Sequence, residues 1–134
     1  MMLDISEVVL ADTSTSEIIR DRARKLFVRI SVTNEKFLII NSRESEGSIK
    51  IESATYSFLS HDSYIAGLRT FTLEEYEIIK KRGNLYYDDM VKVLNMIKSS
   101  KSIPPDEKEE ILIDLEEFIN DYAANKLKNK LSNR

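Results

Sequence analysis

The chain of 134 residues contains no cysteine, and this absence excludes several kinds of chemistry at once. Disulfide bonds, thiol nucleophiles and cysteine-ligated metal sites all depend on the cysteine sulfur, so none of them can form within this chain. The chain has a single histidine, His61, which is a poor basis for a site that needs several histidine, cysteine or carboxylate ligands. We therefore expect no metal and no cofactor.

The chain also lacks a strong charge of either sign and a long apolar segment. Its 20 basic and 23 acidic residues give a formal net charge of −3. A field this mild does not by itself indicate a nucleic-acid partner, although it leaves room for a local basic patch. No apolar run approaches the roughly 20 residues of a transmembrane helix. Residues 1–12 lack the basic and long apolar regions of a signal peptide, so we expect a cytoplasmic protein without membrane contact.

Three glycines and two prolines are too few to mark where elements end, so hydrophobic periodicity carries the prediction. Apolar and polar residues alternate over residues 25–33, which predicts a half-buried strand. The nearly continuous apolar run over residues 37–40 predicts a strand covered on both faces. The whole pattern predicts antiparallel strands near 7–12, 25–33, 36–42, 48–53, 63–67 and 68–73.

The second half of the chain changes to helical spacing. Residues 74–81 are helix-like, and Gly83 follows where such a helix would end. Apolar spacing then predicts helices over 88–98 and about 106–130, the last with an apolar stripe along residues 111–127. That stripe can pack against its own chain, against a second copy or against another partner.

Four short segments carry a resemblance to a known family. They are residues 5–12, the pair Arg24-Lys25 that opens the next strand, residues 37–42 ending in Ser42, and residues 68–71. In this order they resemble the PemK/MazF-like toxin family over about residues 5–98. The chain departs from the family's pattern at Ser6 and Glu7, which replace a Gly-Asp pair, and at Lys25, which replaces a proline.

The resemblance implies an α+β fold, with a small antiparallel SH3-like β-barrel followed by two C-terminal helices. Residues 1–100 then form the barrel with its sealing helix. Residues 101–134 form a linker and a C-terminal amphipathic helix.

The resemblance also implies a metal-independent endoribonuclease toxin of a toxin–antitoxin system. In such an enzyme the RNA 2′-oxygen attacks the adjacent phosphate, and a cation stabilises the charge that develops. The implied catalytic residues are Arg24 and Ser42, because a planar guanidinium donates two hydrogen bonds to phosphate oxygens. If the loop over residues 13–24 folds over the loop over residues 41–47, their arginines can line a basic groove for an RNA backbone. We therefore predict Arg22, Lys25, Arg43 and His61 as RNA-binding residues. The implied partners are a second copy in a homodimer, a cognate antitoxin and single-stranded RNA.

Each of these residues also has a structural explanation. Arg24 and Ser42 can be ordinary residues at strand ends, and the arginines near them are interleaved with acidic residues, as in a solvated loop. His61 can be a corner residue whose neighbours Asp62 and Ser63 hydrogen-bond the turn backbone. The alternative function is therefore a non-catalytic SH3-like binding module of a mobile element, an anti-defence or regulatory protein that acts through a protein partner.

Overall fold

A computed structural model of the chain describes residues 3–12 and 24–132, with side chains described as far as residue 128. Within these ranges the chain forms seven strands and two α-helices. The strands are β1 (Glu7–Asp12), β2 (Arg24–Ser31), β3 (Lys36–Asn41), β4 (Ile49–Ile51), β5 (Ser63–Ile65), β6 (Phe71–Thr72) and β7 (Ile78–Asn84). The helices are α1 (Tyr87–Ser99) and α2 (Pro105–Ser132).

The strands pair antiparallel in one sheet, so the predicted α+β class with two C-terminal helices is confirmed. The strand order is β4-β5-β3-β2-β1-β7, and β6 pairs with the beginning of β3. This order is open, with β4 and β7 at its ends, so the predicted closed barrel is not confirmed. The segment between β4 and β5 nevertheless reaches the other edge, because Tyr56 stacks on Tyr86 with ring centroids 5.1 Å apart and Phe58 lies beside Gly83.

Both faces of the sheet are covered by apolar side chains. On one face, core residues of the sheet pack with buried residues of the two helices; they include Val8, Val28, Ile30, Leu38, Ile40, Met90, Ile97, Ile111 and Leu115. On the other face, Leu3 and residues of the 66–78 segment cover a second group: Val9, Ala11, Phe27, Phe37 and Ile39. The prediction for β3 is confirmed, whereas β2 is buried on both faces rather than half-buried, because residues of that later segment cover Phe27.

Arg29 is buried on the face of β2 that the alternation assigned to solvent. Its guanidinium donates from Nε to the carbonyl of Ser31 at 2.7 Å and from an Nη to the carbonyl of Val32 at 3.0 Å. It also lies over the Phe37 ring, 5.2 Å from the centroid. Burial lowers the pKa of Arg29, while acidic residues led by Glu35 act in the opposite direction. Arg29 thus has a structural role at the end of β2, where backbone carbonyls accept the hydrogen bonds of its buried guanidinium.

The helix expected over residues 74–81 is wrong. Only a single 3₁₀ turn forms, over Glu75–Glu77, and the chain then enters β7, which pairs with β1. Two register shifts interrupt that pairing, between Val8 and Val9 and between Leu10 and Ala11. Because β7 is an exposed edge strand with irregular register, its sequence has no period of two and resembles that of a helix.

The apolar stripe of α2 divides into two parts. Ile111 and Leu115 are fully buried in the helix-side core, and Phe118 packs beside them. Farther along, Tyr122 stacks on Tyr87 of α1 with centroids 4.5 Å apart, whereas Leu127 is exposed. The first part of the stripe is therefore covered by its own chain. In the described part of the chain, neither helix has the length and apolar content to cross a membrane.

Candidate functional site

Arg24 and Ser42 lie at the same end of the sheet, where β1 and β3 end and β2 and β5 begin. The ladder of β2 with β3 ends at the pair Leu26 and Ile40; Arg24 is the first residue of β2, and Ser42 follows the last residue of β3. Because β2 and β3 are adjacent antiparallel strands, the two predicted catalytic residues come to the same end of the sheet, although they are 18 positions apart in the sequence.

Arg24 continues the alternation of β2 on the face that Leu26 occupies. Side chains alternate along a strand, and Leu26 and Ile40, two places farther in, both belong to or pack on the helix-side core. Arg24 and Ser42 are both exposed, so they stand at the rim where this core opens to solvent. By the same alternation Lys25 lies on the opposite face of β2. This rim thus carries an exposed cation and an exposed hydroxyl.

Asp12 is a third member of this rim. The register of β1 with β2 pairs it directly with Arg24. The sequence gives no direct signal of this proximity, because Asp12 reads only as the end of a strand. The register of β1 with β2 shows this proximity. It places the carboxylate of Asp12 beside the arginine on which the predicted chemistry depends.

Two of the predicted RNA-binding residues lie at the same end of the sheet. Arg43 follows Ser42 and is exposed. His61 is exposed and comes two residues before β5, with its ring Nδ1 at 2.9 Å from Ser60 Oγ. Arg22 lies outside the described residues. The described members of the predicted set therefore gather around one open end.

Asp62 and Ser63 hold the corner that carries His61. The backbone N–H of Ser53 donates to Asp62 Oδ1 at 2.9 Å, and Ser63 Oγ donates to the carbonyl of His61 at 3.0 Å. Hydrogen bonds from Ser53 hold the pKa of Asp62 below its usual value. The expected role of these two residues in the turn is confirmed.

A separate cleft lies between β4 and the start of α1. Its volume is about 530 Å³. Its lining includes Lys50, Glu52, Tyr86, Asp88 and Lys92. These charges are mixed in sign, so the cleft offers no continuous basic surface for a phosphate backbone.

Tyr56 fixes one wall of that cleft. Its buried hydroxyl donates to Asp89 Oδ2 at 2.5 Å and accepts from the backbone N–H of Tyr86 at 2.9 Å. Burial, together with the bond to Asp89, raises the pKa of Tyr56 well above its usual value. The phenol thus remains protonated and joins the β4–β5 segment to the beginning of α1.

Among the described residues, no group of three or more histidine, aspartate or glutamate side chains is arranged to hold a metal ion. A scan of the chain against protein-family models gives no match, and a search of the curated proteins gives no match either.

Proposed function

We propose that this protein is a metal-independent endoribonuclease, the toxin of a toxin–antitoxin pair. The observation that carries the proposal is that Arg24 begins β2 and Ser42 follows β3 at the same end of these adjacent strands, with both residues exposed. A guanidinium beside a hydroxyl, both open to solvent, suits the recognition of a phosphodiester.

The proposed reaction needs only groups from the chain and the RNA. The RNA 2′-oxygen bonds to phosphorus while the bond from phosphorus to the leaving 5′-oxygen breaks. The proton of the 2′-hydroxyl passes to a base, and the leaving oxygen takes a proton from an acid. Arg24 stabilises the charge on the phosphorane, and Ser42 positions the phosphate. Arg43 and His61 bind the RNA on either side of this point.

The backbone at Ser6 also supports the proposal. Ser6 stands where the PemK/MazF-like family has a glycine, and its φ is 80°, in the left-handed region that favours glycine. Its N–H donates to the carbonyl of Arg29 at 3.0 Å, and its carbonyl accepts from Leu85 at 2.9 Å. These two backbone hydrogen bonds hold Ser6 in the left-handed conformation, although serine adopts it less readily than glycine does.

The proposal is tested by incubating the purified protein with a long mixed-sequence RNA, with and without EDTA. We expect cleavage in both conditions and products that end in a 2′,3′-cyclic phosphate, because an internal oxygen attacks. A DNA of the same sequence is the matched substrate control, since it has no 2′-hydroxyl. Intact RNA after long incubation, or cleavage that EDTA abolishes, contradicts the proposal.

A second candidate function rests on Asp12. A carboxylate directly opposite Arg24 can neutralise the guanidinium, and the rim then serves as a neutral polar surface. This arrangement favours the non-catalytic binding module, which would act through a protein partner. Failure of the RNA assay, together with capture of a defined protein that Arg24→Glu releases, would select this candidate.

A further inference from the structure

The edge strand β7 carries Lys80, Lys81 and Arg82, the longest unbroken run of basic residues in the chain. All three residues are exposed. Lys80 pairs with Leu10 of β1 and Lys81 pairs with Val9, so the two lysines lie on opposite faces of the sheet. By the same alternation Arg82 returns to the face of Lys80.

Lys81 differs from its two neighbours because it has an acidic partner. Its Nζ lies 3.3 Å from Glu7 Oε2, on the face of the sheet that Val9 shares with the second core. Among residues 3–12 and 24–128, neither Lys80 nor Arg82 forms a salt bridge. The edge therefore presents two cations on one face whose charge no neighbouring carboxylate neutralises.

Lys80 lies on the same face of the sheet as Arg24. Leu10 pairs with Leu26 of β2 on one side and with Lys80 on the other, so these three side chains share a face. Arg24 continues the alternation of β2 on that face. One strand, β1, lies between them. Two strand spacings of about 4.8 Å and an offset of two residues of about 3.4 Å place the Cα atoms of Arg24 and Lys80 roughly 12 Å apart.

Acidic residues set the limits of this cationic surface. Asp12 of β1 stands opposite Arg24, and the 3₁₀ turn Glu75–Glu77, with an acidic residue at each end, comes directly before β7. Lys80 and Arg82 follow along the strand in the direction away from that turn. The basic edge is thus a separate contact point beside the rim, and a ligand that touches both must be long enough to pass Asp12.

We propose that Lys80 and Arg82 bind backbone phosphates of the RNA strand whose scissile phosphate lies at Arg24. This inference rests on the proposed nuclease function and extends its site across β1 to the edge of the sheet. Arg43 and His61 lie on the opposite side of Arg24, beside β3 and β5. Every nucleotide carries one phosphate, so an RNA held at Arg24 presents further phosphates to the basic edge. Such contacts position the strand without reading its sequence.

Binding of an RNA that cannot be cleaved tests this contact apart from catalysis. A 2′-O-methyl RNA of mixed sequence has no free 2′-hydroxyl, and fluorescence anisotropy over a salt series gives the slope of log affinity against log salt concentration. We expect the magnitude of that slope to fall by about 0.7 in Lys80→Ala and by about 1.4 in the double variant Lys80→Ala/Arg82→Ala, since each lost phosphate contact releases fewer counterions.

Lys81→Ala is the matched control. It removes the same side chain and the same charge from the same strand, but from the other face and from a lysine that Glu7 already neutralises. We expect its affinity and its salt slope to stay close to those of the parent. Circular dichroism checks that the three variants keep the fold. Equal salt slopes in Lys80→Ala and Lys81→Ala, or a parent that does not bind the RNA, overturn the proposal.

Steady-state cleavage of unmodified RNA distinguishes failure of this contact from failure of the nuclease proposal. Lys80→Ala should raise KM with little change in kcat, because Lys80 lies away from the scissile phosphate, whereas Arg24→Ala should lower kcat. A parent that binds the 2′-O-methyl RNA through Lys80 and cleaves no RNA contradicts the nuclease function and leaves the contact standing. A parent that cleaves RNA with the same KM as Lys80→Ala contradicts the contact alone.

Discussion

Buried polar side chains join parts of this fold that the backbone pairing leaves separate. Tyr56 connects the β4–β5 segment to α1 through Asp89 and Tyr86. A second connection joins the end of β2 to α2, where Ser31 Oγ donates to Asp114 Oδ2 at 2.5 Å and the backbone N–H of Thr33 donates to the same oxygen at 3.2 Å. Each contact satisfies polar groups that would otherwise lose their water on folding.

Replacing Tyr56 by phenylalanine removes one of these connections without removing the ring. The backbone N–H of Tyr86 and the carboxylate of Asp89 lose their partner, so we expect a loss of about 1–3 kcal/mol in the free energy of unfolding at neutral pH. Tyr76→Phe is the control, because Tyr76 is 78% exposed and its loss should be near zero. Denaturant unfolding of the three proteins measures the difference.

The effect of Tyr56→Phe also depends on pH. The pKa of Tyr56 is raised in the folded chain above the ordinary value of 10.0, so folding favours the neutral phenol. Its stabilisation is complete below the unfolded pKa and is lost as the pH rises through the folded pKa. The stability difference between the parent and Tyr56→Phe should therefore shrink above a pH of about 10. A difference that grows with pH contradicts the hydrogen-bonding scheme.

At the scale of elements, β3 occupies the centre of the fold. It pairs with β2 along its length and with β5 and β6 at its two ends. Its residues alternate between the two cores, with Leu38 and Ile40 on the helix side and Phe37 and Ile39 on the other. The continuous apolar run was sufficient to predict this element, because a strand covered on both faces has no polar side.

Truncation of Ile39 tests this two-sided burial. We expect Ile39→Ala to lower the free energy of unfolding by roughly 2–5 kcal/mol, since it removes buried methyl groups and leaves a cavity. Ile79→Ala removes the same atoms from an exposed residue of β7 and should change stability by less than about 0.5 kcal/mol. Equal denaturant midpoints for the two variants would show that the second core contributes little.

Sequence patterns predicted the strong elements better than the weak ones. Hydrophobic patterns predicted β1, β2, β3 and both helices. The segment that forms β7 has a helix-like pattern, and β6 covers only Phe71–Thr72 of the strand predicted over 68–73. An edge strand with bulges has no regular alternation, and a two-residue strand is too short to show one. At the site, Arg24 and Ser42 came from the family resemblance, while the proximity of Asp12 needed the ladder register, which no local pattern contains.

At the scale of the whole molecule, the sheet presents an open end and α2 presents an outer face. Arg24, Ser42, Arg43 and His61 lie at or just beyond three strand ends at this end of the sheet. The outer face of α2 begins near the opposite end of the sheet, where Asp114 meets Ser31.

The rate of RNA cleavage by Arg24→Ala, compared with the parent and with Arg69→Ala, tests the central proposal most directly. Arg69 is also an exposed arginine, but it lies over Phe71 of β6, which pairs with the opposite end of β3. Its loss should therefore leave the cleavage rate nearly unchanged. Loss of Arg24 should slow cleavage by about 10²–10³-fold, because it removes the charge that stabilises the phosphorane. If Arg24→Ala cleaves as fast as the parent, Arg24 has no part in catalysis and the proposed site is wrong.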